Sequence, residues 1–222
     1  MNFANVRDAV KRVISKHSGG FRLIASSQTQ LLELASVTGI AEHYRSLGAS
    51  VNAVNPKGKR GFVVKTSTRG YPWNFSYFAC ELAGEKFEIR MNLMVNGAHD
   101  DGIYCVDVGI TKNSSVPYSK PAVAWIRVEN SDLITFAETK KLVVYPMLLA
   151  QFVGIVHEIK PEFLKAGATQ HLPPTLITIG HLTGNSQAIV SAYPSRNFRI
   201  SIAYSYDIRL ARVRSGAASP FV

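Results

Sequence analysis

Apolar residues near the start of the chain recur at helical spacing. Phe3, Val6, Val10 and Val13 fall on one side of a helix over residues 3–16, which residues 17–20 (HSGG) end. A second helix is predicted over 29–46, with Gly48 as its stop signal. The pattern then changes to short strand-like runs over 61–67, 74–82, 87–95 and 103–110. Gly84-Glu85 and residues 97–102 (GAHDDG) connect them, and 112–121 read as a loop. Strand-like pieces follow at 122–128 and 133–140. A helix starts near Pro146, a residue suited to a first helical turn, and stops before Pro161. Leu148, Phe152, Ile155, Val156 and Ile159 form its apolar stripe. Pro173-Pro174 marks a loop, and 176–180, 188–192 and 198–204 read as short strands. The tail from 215 is small and polar. The chain shows neither an internal repeat nor a low-complexity tract. This order predicts one α/β domain, with a central mixed β-sheet and helices on both sides.

Length agrees with that: 222 residues suit one domain. Hydrophobic residues make up 46% and charged ones 18%, which fits a globular protein rather than a disordered one. Lys and Arg total 25 against 15 Asp and Glu, for a net charge of +10. So basic a balance favours a polyanionic partner, because each cation that reaches a phosphate releases a condensed counterion. Charge alone leaves nucleic acid, an anionic membrane surface and simple solubility open. The first twenty residues do not read as a secretory signal. No run approaches the roughly 20 apolar residues of a membrane span, since 147–159 is broken by Gln151, His157 and Glu158. Cys80 and Cys105 lack zinc-site spacing and read as free buried thiols. The expectation is a cytoplasmic protein.

The chemistry lies in residues 132–141 (DLITFAETKK). Strand alternation predicts that Ile134, Phe136, Glu138 and Lys140 share one face. A carboxylate and an ammonium then emerge together where the strand leaves the core. About thirty residues earlier, Asp107 interrupts the apolar run 103–110 (IYCVDVGI). A carboxylate in such a place is costly unless it is paired, hydrogen-bonded or metal-bound. Two acids on neighbouring strands would suit a hard cation with oxygen ligands, such as Mg²⁺ or Mn²⁺. Lys140 would orient a water or stabilise phosphoryl charge.

Asp107, then Glu138-Thr139-Lys140, then an apolar helix resembles the PD-(D/E)XK restriction-endonuclease-like nuclease superfamily over about residues 29–160. Val106 stands where the motif's proline would be. The resemblance implies a restriction-endonuclease-like core followed by a basic extension over 161–222, and metal-dependent hydrolysis of phosphodiesters, with DNA favoured over RNA. It implies Asp107 and Glu138 as metal ligands, joined by the backbone carbonyl of Thr139, and Lys140 as a catalytic residue. An upstream glutamate on the first core helix is also implied. Glu33, on the face of Val37, Ile40 and Tyr44, is preferred for it over Glu42. Gln151 on the following helix is a candidate accessory residue. The chain is expected to work as a homodimer or within a larger assembly, as an effector in bacterial defence. Rival readings are a non-catalytic nucleic-acid-binding or assembly subunit of the same fold, and a two-carboxylate hydrolase such as a glycosidase.

Other features admit structural and functional readings alike. The histidines show no zinc-ligand pairing, and residues 100–102 (DDG) read as a turn. Lys57, Lys59 and Arg60 form a basic loop without a phosphate-loop signature. Residues 71–77 (YPWNFSY) adjoin Lys65 and Arg69 and offer aromatic rings on which unpaired bases stack. Arg196, Arg199, Arg209, Arg212 and Arg214 make the C-terminal region basic.

Overall fold

The computed structural model describes residues 28–122 and 127–207 and the backbone of Arg212–Val213. The helix expected over 3–16, most of the strand expected over 122–128, the side chain of Arg212 and the residues Arg209 and Arg214 lie outside the described residues.

Helix α1 (Gln28–Ser46) is followed by Gly48 at φ +92°, the left-handed conformation that favours glycine after a helix. An antiparallel run then joins β1 (Ser50–Val54), β2 (Tyr77–Leu82), β3 (Glu85–Asn96), β4 (Ile103–Lys112) and β5 (Leu133–Lys140). Helix α2 (Pro146–Ile159) leads to β6 (Thr175–Thr178), parallel to β5. Helix α3 (Gly184–Ser191) leads to β7 (Ser201–Ala203), parallel to β6. The seven strands form one mixed sheet in chain order, and β8 (Tyr206–Asp207) pairs separately with β9 (Arg212–Val213).

Two expectations are corrected. Residues 61–67 are not a strand: β1 already occupies the edge of β2, pairing Val51 with Cys80. The 61–67 segment runs alongside without a ladder, and Val63 N–H donates to Ser76 Oγ at 2.8 Å. Residues 188–191 close α3 rather than form a strand. The Thr183 hydroxyl caps that helix by accepting from Ser186 N–H, a local contact that outweighs the apolar run.

The core has two parts. Leu32, Val37, Ile40 and Tyr44 of α1 pack with Phe78, Ile89 and Val108 of the sheet. Leu148, Phe152, Val156 and Ile159 of α2 pack with Leu93, Val106, Phe136 and Leu176. The sheet is therefore flanked by helices, each fully buried Leu, Ile or Phe contributing about 1.5–3 kcal/mol as an upper estimate. Among the described residues no helix is long and apolar enough to cross a membrane.

Alternation breaks at one level of this sheet. On β3, Met91 packs in the α1-side core and Leu93 in the α2-side core. On β4, Val108 and Val106 divide in the same way. Met91 pairs with Val108 and Leu93 with Val106, so Asn92 and Asp107 lie together at the switch. Asn92 has φ +48°, a left-handed conformation that asparagine tolerates better than most residues.

Candidate active site

The ladder between β4 and β5 runs from Val108–Ala137 to Thr111–Leu133. Past Ala137, β5 continues beside β6 alone, with Glu138 opposite Leu176 and Lys140 opposite Thr178. At this parting Asp107 reaches β5 with its side chain. Its Oδ2 accepts from Thr139 N–H at 2.7 Å and from the Thr139 hydroxyl at 2.9 Å. Lys140 Nζ lies 2.9 Å from Glu138 Oε2 and 3.9 Å from Asp107 Oδ2. Asp107, from the middle of β4, thus converges with Glu138, Thr139 and Lys140 at the end of β5.

One part of the expected face is corrected. Phe136 packs in the α2-side core, whereas Ile134 packs against the α1-side core. A register shift between Ile110 and Thr111, opposite Leu133 and Thr135, interrupts the alternation. Glu138 and Lys140 lie beyond it and remain adjacent.

Burial sets the electrostatics. The Glu138 side chain is 8% exposed and that of Lys140 37%, so the site opens to solvent on the lysine side. Burial first, and then the charge of Asp107, push the Glu138 carboxyl up to about 7, against the pull of Lys140. Burial works against the Lys140 ammonium, but Glu138 and Asp107 more than offset it and hold its pKa above the ordinary lysine value.

Glu33 is buried on α1, where its Oε2 accepts from Asn92 Nδ2 at 2.9 Å. Burial, and further the charge of Asp107, raise its pKa, while Asn92 and Lys140 oppose the rise. Glu42 is instead half-exposed and ion-paired with Arg45 at 2.6 Å. Gln151 is exposed on α2 and joins none of these hydrogen bonds.

Three neighbours escaped the sequence reading as members of the site. Asn92 donates to both Glu33 and the Lys65 carbonyl, each at 2.9 Å. The buried Lys65 Nζ donates to the carbonyls of Ser67 and Asn92, each at 2.7 Å. Burial lowers its pKa, against the charges of Cys105 and Glu33. Cys105 is a free thiol two residues before Asp107 on β4. Burial above all pushes it up to about 11, with the charges of Asp107, Glu138 and Glu33 adding to the rise and Lys65 alone opposing it. Only Cys105 carried a sequence signal, its spacing from Asp107 along one strand. Asn92 sits in an ordinary apolar run and becomes notable only through its backbone conformation.

Among the described residues, no cluster of three or more His, Cys, Asp or Glu side chains is placed to hold a metal ion. The arrangement is instead a carboxylate pair with an ammonium beside it. Such a group can neutralise a divalent cation that keeps most of its own water, or relay a proton through Glu138 near neutral pH. A scan of protein-family models returns no match to the chain, and a search of curated proteins returns no significant match.

Proposed function

We propose that the protein is a metal-dependent phosphodiesterase acting on nucleic acid, DNA in the first place, built on a core of the PD-(D/E)XK kind. The observation that carries this reading is the meeting of Asp107, Glu138 and Lys140 where β4 and β5 part. The net charge of +10 supports a polyanionic substrate.

The residues present fit Mg²⁺ or Mn²⁺, which bind through one or two carboxylates and leave positions for water and phosphate oxygens. They do not form an all-protein cage. Asp107 and Glu138 would hold the ion, with the backbone carbonyl of Thr139. Neutralising this pair relieves the repulsion that raises the Glu138 pKa. When bound, such an ion lowers the pKa of a water and neutralises phosphoryl charge.

The chain's own groups do the positioning. Thr139 fixes the Asp107 carboxylate through two hydrogen bonds. Lys140, held by Glu138, extends to the open side, where it donates to the attacking water or to a phosphoryl oxygen. Glu33, oriented by Asn92, lends negative charge from the α1 side.

The test is Mg²⁺-dependent cleavage of plasmid and of labelled DNA and RNA oligonucleotides, wild type against Lys140→Ala. A loss on the order of 10²–10³ in rate is expected, the scale seen when one such donor is removed. Equal background cleavage by both proteins removes the enzyme reading and leaves a binding subunit.

A further inference from the structure

Beside the carboxylates lies a cavity of about 790 Å³ that this reading has not used, bordered by Lys65, Arg69, Tyr71, Trp73, Asn92 and Lys120. Its volume falls within the range that holds small-molecule-sized ligands. Asn92 lines it and also donates to Glu33 Oε2, so one residue joins the cavity to Glu33.

The lining has two chemistries. Tyr71 and Trp73 stack face to face, with ring centroids 4.6 Å apart and planes 7° apart, and Tyr71 is 57% exposed. Pro72 stands between them in a short 3₁₀ turn and is itself buried, which holds the rings in place. The basic part is Lys65, Arg69 and Lys120. Arg69 and Lys120 are exposed, and among the described residues none of the three forms an ion pair with a carboxylate. A flat aromatic surface with the exposed cations Arg69 and Lys120 around it matches a base joined to a phosphate. A folded protein segment offers no such pairing of planar ring and anion at every unit. A paired base has its face covered by its neighbours, so the occupant must be unstacked.

We propose that this cavity seats an unpaired nucleotide of the substrate strand, its base on the Tyr71–Trp73 stack and its phosphates on Arg69 and Lys120, with Asn92 between it and Glu33. The inference rests on the reading of the substrate as nucleic acid. It makes the enzyme select single-stranded or locally unpaired regions.

The experiment measures fluorescence anisotropy of labelled oligonucleotides in EDTA, where no cleavage occurs. Single-stranded DNA, single-stranded RNA and blunt duplex of equal length are compared. The wild type binds a single strand more tightly than the duplex, and the DNA and RNA arms show which sugar is preferred. Tyr71→Ala weakens single-strand binding about tenfold, within the range for loss of a stacking ring. Arg69→Ala with Lys120→Ala lowers the slope of log K against log salt by about 1.4, two phosphate contacts at ~0.7 each. Tyr71 is exposed, so its variant is the one that tests the stack, and unchanged melting temperature certifies its fold. Wild-type preference for duplex, absence of binding, or Tyr71→Ala binding within twofold of wild type overturns the proposal. Binding that behaves as expected without Mg²⁺-dependent cleavage removes the hydrolase and keeps the cavity. Cleavage with Tyr71→Ala binding unchanged does the reverse.

Discussion

The Asp107 carboxylate takes both the backbone N–H and the hydroxyl of Thr139 on a single oxygen, at 2.7 and 2.9 Å. A side chain thereby stands in for the β4 backbone, which no longer pairs with β5 at this level. The aspartate is at once a structural acceptor and one of the two acids at the parting of the strands.

Substitutions at Asp107 should therefore separate the two roles. Asp107→Ala strands a buried donor at Thr139, at a cost of about 1–3 kcal/mol. Asp107→Asn keeps an oxygen for Thr139, so urea unfolding should place it within about 1 kcal/mol of wild type. Both variants should lose Mg²⁺-dependent cleavage. An active Asp107→Asn protein would detach this residue from the chemistry.

For Glu138 the sign of the pH effect is opposite to that of an ordinary ion-paired acid. Its folded pKa, about 7, stands above its usual value of 4.5, so the fold prefers the neutral carboxyl. That preference contributes stability fully below pH 4.5 and loses it as pH rises through 7. In EDTA, the stability of Glu138→Gln relative to wild type should rise between these pH values, by roughly 3 kcal/mol at most. Mg²⁺ should recover the wild type at pH 8, by about 2.7 kcal/mol at one hundred times its dissociation constant. Melting curves across pH with and without Mg²⁺ check both; a gap that stays constant with pH would refute the buried-acid account.

Asn92 holds Glu33 and the Lys65 carbonyl from a left-handed backbone position. Asn92→Ala removes both hydrogen bonds and places a β-carbon residue less suited to φ +48° there, for an expected loss of about 2–4 kcal/mol. Asn92→Asp sets a second carboxylate against Glu33, so its loss should grow from pH 5 to pH 8 as the pair ionises. Chemical denaturation at the two pH values reads this directly. Equal stability of Asn92→Asp at both would show that Glu33 does not face this side chain.

Local pattern was enough for much of the architecture. Strand β5 spans residues 133–140 as the alternation predicts, and α2 begins at Pro146 and ends before Pro161. The two acids and the lysine were visible because charged residues interrupt apolar strands, where burial is costly. What failed were the segments 61–67 and 188–192, whose apolar character fits several environments. A neighbouring strand in one case and a hydroxyl cap in the other decided them.

The chain's own order of residues therefore determined where α1, α2 and the strands β2 to β5 lie, the α/β class, and which side chains are chemically out of place. It determined these because propensity, capping and alternation act over a few residues. Only the tertiary structure decided that β3 and β4 exchange core faces at Asn92 and Asp107, that Glu33 meets Asn92, and that an aromatic, basic cavity shares Asn92 with it. Each of those depends on how separate elements pack and on the register between paired strands, and a one-residue change of register would send every side chain to the other face.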